Sequence, residues 1–164
     1  AAKVGTMRYR TGTEYVEVSG TELVINGDFA ADTDWNKNAN WTISGGTANA
    51  DGTANSDMNQ DDNLPVVGKS YKISYEITAS TQGQIRIAYG GVITPYASAI
   101  GKYEFAAAAT STDRIRAQSS GNFTGSIDNV SIVEVTSEDA SYADMCMQTG
   151  SSTYEWVNIV RNTY

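Results

Sequence analysis

The chain has 164 residues, of which 40% are hydrophobic and 18% are charged, and its formal net charge is −8 at pH 7. Nucleic acid and anionic membrane surfaces are disfavoured as partners, because both need a basic footprint on the protein. Histidine is absent, which excludes Ser-His-Asp and Cys-His catalysis and the usual imidazole zinc sites. No apolar run approaches the roughly 20 residues of a membrane helix, so we predict no membrane insertion.

The first predicted strands lie in an N-terminal flank, residues 1–21. The run Tyr15-Val16-Glu17-Val18 has apolar side chains on both faces of a strand. A strand that exposes apolar groups on both faces needs a partner surface on each side. This flank therefore differs from the segment that follows it.

Residues 22–135 show the alternation of a half-buried sheet. In residues 71–78 and again in residues 84–89 the apolar side chains occupy the odd positions, and we predict two strands paired as a hairpin through the turn at 80–83. Further strands are predicted at 102–106, 113–117 and 127–135. Residues 45–63 are rich in Gly, Thr, Asn and Asp, so we expect weakly specified pairing and some loop there. Short strands at this spacing favour an all-β sandwich.

The C-terminal flank, residues 136–164, again has apolar groups on both strand faces. Together the flanks amount to about 50 residues, for which independent folding is marginal. Cys146 is the single cysteine, and its neighbours indicate a soft apolar surface in preference to a reactive thiolate. We expect the flanks to oligomerise, with an interface at Met145, Met147, Tyr154, Trp156, Val157 and Ile159.

Three short signatures within residues 22–135 resemble one known family. They are Asn26-Gly27-Asp28-Phe29, the run from Gly68 to Tyr75, and Ile127-Asp128-Asn129-Val130. They are similar to strands of the galactose-binding-like jelly-roll carbohydrate-binding modules. The resemblance implies an antiparallel β-sandwich of jelly-roll type, with residues 1–21 and 136–164 as a small flanking β unit.

The flanks resemble a different class of protein. Residues 4–10, 145–150 and 156–160 are similar to the distal part of a tailed-phage fibre or virion-appendage protein. That resemblance implies three copies of the chain around an axis, since closed homo-oligomers repeat one patch. Other virion proteins would then be further partners, and the protein would lie on the virion surface.

The carbohydrate-binding family often holds a structural calcium near its first and last strands, and Asp28 and Asp128 fall at fitting positions. No other cofactor is expected. The family usually has an acidic residue after the Phe, but this chain has Ala30, which removes one oxygen ligand from a cation that takes six to eight. The alternative is that Asp28 caps a turn and Asp128 accepts hydrogen bonds from nearby backbone amides.

Sugar binding needs an aromatic face for the pyranose ring and planar polar groups for its hydroxyls. The outward positions of the middle strands supply Gln84, Arg86, Arg116 and Gln118, and Tyr96 or Trp35 is expected as an exposed stacking surface at the rim. The alternative is a solvated face whose cations pair with Glu76 and Glu104. Tyr71, Tyr75, Tyr89 and Trp41 are predicted core residues.

We predict from these patterns a non-enzymatic, virion-associated fibre or appendage protein, in which the sandwich attaches to a host-surface glycan. No catalytic residue is predicted, because the carboxylates sit in Gly- and Asn-rich loops with nothing to separate their pKa values. Two alternatives stay open. One is a structural decoration protein that binds no sugar, and the other is a binding module of a secreted polysaccharide-degrading enzyme.

Overall fold

The computed structural model describes residues 4–149 and 153–163, and within these ranges the chain is all-β. No helix in the described part of the chain is long and apolar enough to span a membrane. One hydrogen-bonded sheet contains ten strands. They are β1 (Met7–Glu22), β2 (Asn36–Lys37), β3 (Trp41–Ser44), β4 (Thr47–Asp51), β5 (Asp57–Gln60), β6 (Ser70–Tyr89), β7 (Val92–Ile93), β8 (Gly101–Ala108), β9 (Ile115–Gln148) and β10 (Tyr154–Thr163).

The chain divides into two compact units. One unit is Glu17–Val135, and the other combines Ala1–Val16 with Thr136–Tyr164. The long strands β1 and β9 contribute residues to both. The inner unit begins at Glu17 where the sequence predicts Glu22.

β6 is one continuous strand, and the predicted hairpin between residues 71–78 and 84–89 is wrong. Both segments belong to β6, and each pairs with β9 in antiparallel register, from Ser70 opposite Val135 to Ala88 opposite Arg116. The segment predicted as a turn instead contains register shifts, between Ser80 and Gln82 and between Gln82 and Gln84. Extra residues of this kind bend a strand and increase its twist, and they disrupt the ladder only locally.

The two ends of β6 meet in the core, which shows that the strand doubles back. Tyr71 and Tyr89 are in edge-to-face contact, with ring centroids 6.0 Å apart. In a straight strand eighteen residue steps would separate them by roughly 60 Å, so the ribbon of β6 and β9 must fold over. The two halves of this ribbon form the facing layers of an antiparallel β-sandwich.

Each half of the ribbon has its own neighbours. The first half of β6 pairs with β8 and with residues 127–135 of β9, and the second half pairs with β7 and with residues 116–120. On its other side β9 pairs with β5 and β4, which are extended by β2 and β3 respectively. The alternating residues of these strands enclose a common core that includes Trp41, Met58, Ile73, Ile77, Ile85, Ile87, Phe123, Ile127 and Ile132.

Residues 45–63, expected to be partly loop, contain both β4 and β5. Ala48, Ala50 and Met58 are buried, and the buried Gln60 side chain accepts a hydrogen bond from the Ile25 amide at 3.1 Å. The inward positions of these strands hold small or polar side chains, so the sequence has little hydrophobic alternation there. Pairing with β9 specifies the strands where local pattern does not.

Gly83 permits the bend of the ribbon. Its φ is +72°, and a Cβ at this position would lie 2.5 Å from the backbone nitrogen of Phe123. A side chain would therefore meet both an unfavourable backbone conformation and the opposite strand. Gly46 has nearly the same φ, +73°, but a Cβ there would meet no heavy atom within 4 Å.

The second unit is a three-stranded sheet in which β9 pairs with β1 and β10. Asp144 is buried and accepts hydrogen bonds from Arg8 Nε at 2.9 Å and from Asn158 Nδ2 at 3.0 Å. The buried apolar residues among its described positions are small: Ala140, Ala143 and Cys146. Of the predicted interface residues, Trp156, Val157 and Met145 are half-buried, whereas Met147, Tyr154 and Ile159 are exposed.

Gly83→Ala should destabilise the protein more than Gly46→Ala does. Both variants place alanine at a positive φ, which costs about 1–2 kcal/mol, but only the first also overpacks the bend, which adds about 1–3 kcal/mol. Urea unfolding followed by tyrosine and tryptophan fluorescence measures both losses. Equal losses in the two variants would show that the close approach at Gly83 is relieved without cost.

Stability should fall between about pH 10 and about pH 12 because of two core tyrosines. Burial raises the pKa of Tyr75 to about 12, with a further contribution from the phenol of Tyr103. Burial likewise raises the pKa of Tyr89 to about 12, although its hydrogen bond to Ala107 opposes the shift. The folded state prefers the neutral phenols, so their contribution is complete below the unfolded value of 10.0 and is lost as pH rises through about 12.

The urea midpoint of Tyr75→Phe should decline less steeply than that of the wild type across this range. Phenylalanine keeps the ring in the core but has no proton to lose. At pH 8, where the phenols are neutral, the comparison gives the cost of the substitution itself. A wild-type midpoint that stays constant up to about pH 12 would contradict the predicted linkage.

Candidate functional site

Polar side chains form a continuous outer surface on the second half of the ribbon. The register places Arg86 of β6 opposite Gln118 of β9, and Gln118 opposite Asp57 of β5. Residues directly opposite each other share one face of a sheet. We call this surface the polar face, and its outward residues are Gln84, Arg86, Arg116, Gln118, Asp57, Asn59 and Asn36.

The central row of the polar face is held by successive contacts. The Tyr96 ring lies against the guanidinium of Arg86, with Arg86 Cζ 4.4 Å from the ring centroid. Arg86 Nε donates a hydrogen bond to Gln118 Oε1 at 3.1 Å, and Gln118 Nε2 donates to Asp57 Oδ2 at 3.4 Å. The Nε bond uses one of the five N–H donors of the guanidinium, so the side chain is oriented with most of its donor capacity remaining.

A second row lies one pleat further along and crosses β9, β5 and β2. Arg116 is opposite Asn59, and Asn59 is opposite Asn36. Arg116 is half-buried, and its Nε is buried without a hydrogen-bond partner among the described residues. A buried charged donor is normally satisfied, so this Nε is an exception among the polar groups of the face.

The acidic partners of the face differ from the predicted ones. Arg114 Nε pairs with Asp61 at 3.0 Å, and its NH1 donates to Asn59 Oδ1 at 3.3 Å. Glu76 lies on the first half of the ribbon, opposite Lys102. In place of the predicted pairing with Glu76 and Glu104, Arg114 pairs with Asp61, and Asp57 accepts a hydrogen bond from the amide of Gln118.

An amide-rich cleft of about 480 Å³ continues the polar face beyond β5. It shares Asp57 and Asn59 with that face, and its other lining residues are Asn36, Lys37, Asn38, Asn55 and Ser56. None of these residues was predicted as part of the site, and residues 55–59 fall in the segment for which weakly specified pairing and some loop were expected. The alternation in Asp57-Met58-Asn59-Gln60, with Met58 inward, is the signal that could have shown the outward Asp57 and Asn59.

Trp35 is not an exposed stacking surface, and that expectation is wrong. Only 6% of the residue is exposed. Its ring packs against Phe29 with centroids 5.5 Å apart, and its Nε1 donates to the Asn26 carbonyl at 3.1 Å. Phe29 adopts a φ of 50°, and this turn brings its ring inward beneath Trp35. Tyr96, the other predicted platform, is 38% exposed.

The residues at the predicted calcium position fit a cation poorly. Asp28 accepts a hydrogen bond from the amide of Ala30 at 3.4 Å. Both Asp128 carboxylate oxygens accept hydrogen bonds from Asn129, at 2.7 Å from its amide and 3.2 Å from its side chain. The described residues contain no group of three or more His, Cys, Asp or Glu side chains that could hold a metal ion. These contacts agree with the alternative of turn capping, and the calcium site stays a prediction.

The chain was compared with known proteins. No protein-family model matches the sequence, and no curated protein matches it. Among solved structures, apo BiXyn10A CBM1 matches with a TM-score of 0.48 and 19% identity, over 82% of this chain and 99% of that chain. Two mutants of CBM29-2, a family 29 carbohydrate-binding module, match with TM-scores of 0.35 at 14% and 13% identity, over 80% of this chain and 93% and 92% of theirs. These structural neighbours are carbohydrate-binding modules.

Proposed function

We propose that this protein is a non-catalytic glycan-binding module displayed on a virion fibre or appendage, and that the glycan lies across the polar face. The observation that supports this most directly is the central row, in which Tyr96, Arg86, Gln118 and Asp57 are linked by contacts across three neighbouring strands. Groups held in place before binding lose little conformational freedom when the ligand arrives.

The chemistry of the face suits a polar or anionic glycan. Amide, guanidinium and carboxylate groups donate to and accept from sugar hydroxyls, and Tyr96 offers a partly exposed ring at the edge. The guanidinium groups of Arg86 and Arg116 can bind a carboxylate in bidentate geometry. The amide cleft next to β5 extends the surface, so the bound chain would run across the strands from Tyr96 towards Asn36 and Asn59.

The flanking unit supports the proposal that the module is displayed on a fibre or appendage. Its three strands bury only small apolar residues among the described positions, while Tyr9, Tyr15, Met147, Tyr154 and Ile159 are exposed. A three-stranded sheet with apolar groups on both faces is stable only when other surfaces cover them. Copies of the same chain would provide that cover, in the homotrimer typical of fibres, with other virion proteins as further partners at the virion surface.

A glycan array tests the function and separates the three candidate roles. Specific binding by the purified chain supports the proposal, and the absence of binding to any host-surface glycan supports a structural decoration protein. Binding confined to plant or microbial polysaccharides, together with a catalytic domain in the same gene product, supports a module of a polysaccharide-degrading enzyme.

Arg86→Ala should weaken binding of the array-positive glycan by at least about tenfold, since a charge-assisted hydrogen bond contributes about 1.5–3 kcal/mol. The free energy of unfolding should fall by about 1–2 kcal/mol, because Arg86 is half-buried and the substitution removes its hydrogen bond to Gln118 and its contact with Tyr96. Isothermal titration calorimetry and thermal unfolding measure the two effects.

Lys69→Ala is the matched control for this prediction. It removes one positive charge from the other half of the ribbon, where Lys69 pairs with Glu134 at 2.8 Å, and it should leave glycan affinity unchanged. If Arg86→Ala and Arg116→Ala both bind like the wild type, the polar face is not the binding site.

Trp156→Ala should dissociate the oligomer at concentrations where the wild type remains assembled. The Trp156 ring is covered on one side by Arg8, whose Cζ lies 4.4 Å from its centroid, and truncation of a large buried aromatic residue costs about 3–5 kcal/mol. Analytical ultracentrifugation over a concentration series measures the change, with the exposed Glu155→Ala as control. A wild-type chain that sediments as a monomer at micromolar concentration would refute oligomerisation itself.

A further inference from the structure

A second cleft lies at the edge of the sandwich, between β8 and the segment that follows β7. Its volume is about 180 Å³, and it is lined by Tyr75, Thr94, Pro95, Tyr96, Ala97, Tyr103, Glu104 and Phe105. The two sides of the cleft come from the two layers of the fold. Tyr103 and Phe105 belong to β8, whereas residues 94–97 follow the second half of the ribbon. Residue 97 is tied to that layer by paired backbone hydrogen bonds between Ala97 and Ile85 at 2.8 Å.

The aromatic side chains of the cleft are fixed in place. Tyr75 and Tyr103 stack with centroids 5.2 Å apart and an interplanar angle of 18°. Tyr103 Oη donates a hydrogen bond to the Ala99 carbonyl at 2.6 Å. Phe105, one pleat further along β8, is 37% exposed. The cleft thus offers rigid apolar surface that remains accessible.

The lining of the cleft is aromatic and contains no cationic side chain, so nothing in it would pair with an anionic sugar. Glu104 lines the cleft from β8, but its side chain alternates with those of Tyr103 and Phe105 and belongs to the opposite face of the strand. Its nearby negative charge further disfavours an anionic ligand. A ligand with an apolar ring face and no charge, as in an uncharged pyranose, matches this lining.

Tyr96 joins this cleft to the polar face. Its ring contacts the Arg86 guanidinium, and the same residue lines the cleft. A ligand that contacts Tyr96 at the end of the polar face is therefore adjacent to the cleft. The volume accommodates a single small ring and falls short of the roughly 300–1,000 Å³ of a pocket for a drug-sized ligand.

We infer that the cleft between residues 94–97 and β8 is a further subsite, which binds one neutral pyranose unit of a glycan chain that continues past Tyr96. The inference rests on the proposed function and deepens it, because it makes the ligand an oligosaccharide with at least one uncharged unit. Sugar units on the polar face interact with guanidinium and amide groups, and the unit in the cleft interacts with Phe105 and Tyr103.

Chain-length dependence tests this subsite. The probes are neutral xylo-, manno-, cello- and laminari-oligosaccharides from disaccharide to hexasaccharide, titrated calorimetrically into the complete chain. In the wild type, affinity should rise once the chain is long enough to pass Tyr96. Phe105→Ala should remove that rise and weaken binding of the longest chains about fivefold, the effect of losing one aromatic contact, with short chains unaffected.

Two further variants make the result interpretable. Ile100→Ala removes an exposed apolar side chain just before β8 that does not line the cleft, and it should bind every chain length like the wild type. Phe105→Leu keeps an apolar side chain of similar size and serves if Phe105→Ala fails to fold. It should also weaken only the long chains, because leucine lacks the flat aromatic face on which a pyranose stacks.

The outcomes distinguish the subsite from the proposed function. If Arg86→Ala weakens binding at every length while Phe105→Ala and Phe105→Leu change nothing, the subsite is refuted and the polar face stands. If only the cleft variants weaken binding, the polar face is refuted as the site. A wild type that binds acidic glycans alone refutes the neutral subsite and keeps the proposed function. A wild type that binds no glycan refutes both.

Discussion

The folding-over of the β6 and β9 ribbon is the constraint on which the inner unit depends. Tyr71 and Tyr89 come from opposite ends of one strand and meet in the core. Tyr89 Oη also donates to the Ala107 carbonyl at 3.0 Å, so its buried hydroxyl is satisfied on the partner layer. This contact joins the two layers through a specific hydrogen bond as well as through apolar packing, and it fixes where the ribbon must bend.

Both candidate binding surfaces are consequences of that bend. The polar face is the outer side of the second half of the ribbon. This half lies beyond the register shifts, and its side chains again alternate regularly between the two faces of the sheet. The aromatic cleft lies where the edges of the two halves approach, with β8 on one side and residues 94–97 on the other. Tyr96 belongs to both surfaces because the segment after β7 passes from one layer towards the other. A different bend would separate Arg86 from Phe105.

Alternation in the sequence predicted the outward residues correctly where strands are regular. Gln84, Arg86, Arg116 and Gln118 share a face because period-two alternation is a local property of a strand. The all-β sandwich followed from the same alternation. The predicted hairpin is wrong because residues 80–83 have the composition of a turn. Both flanking segments pair with β9, so these residues form a bend within one strand.

Other features of the site depend on contacts between residues far apart in the chain, which the local pattern of the sequence does not reveal. Trp35 is surrounded by polar residues in the sequence but is buried, since the left-handed conformation of Phe29 turns the loop inward. The amide cleft exists because β5 pairs with β9. The sequence does not show β5 clearly, since its inward side chains include the polar Gln60. The second row of the polar face is likewise a product of this long-range pairing.

The central place of β9 has a consequence for how the protein is made. The strands β1, β4 and β5 all pair with β9, whose first residue, Ile115, is synthesised long after theirs. During translation these strands therefore emerge with the edge that pairs with β9 still open, although β4 and β5 can already pair with β3 and β2. Their ladders with β9 form only once the last third of the chain is available. Folding dominated by such distant pairing is slow, and unpaired edges favour association between nascent chains. Neighbouring ribosomes on one message hold those chains close together, so the same open edges would meet before each chain is complete.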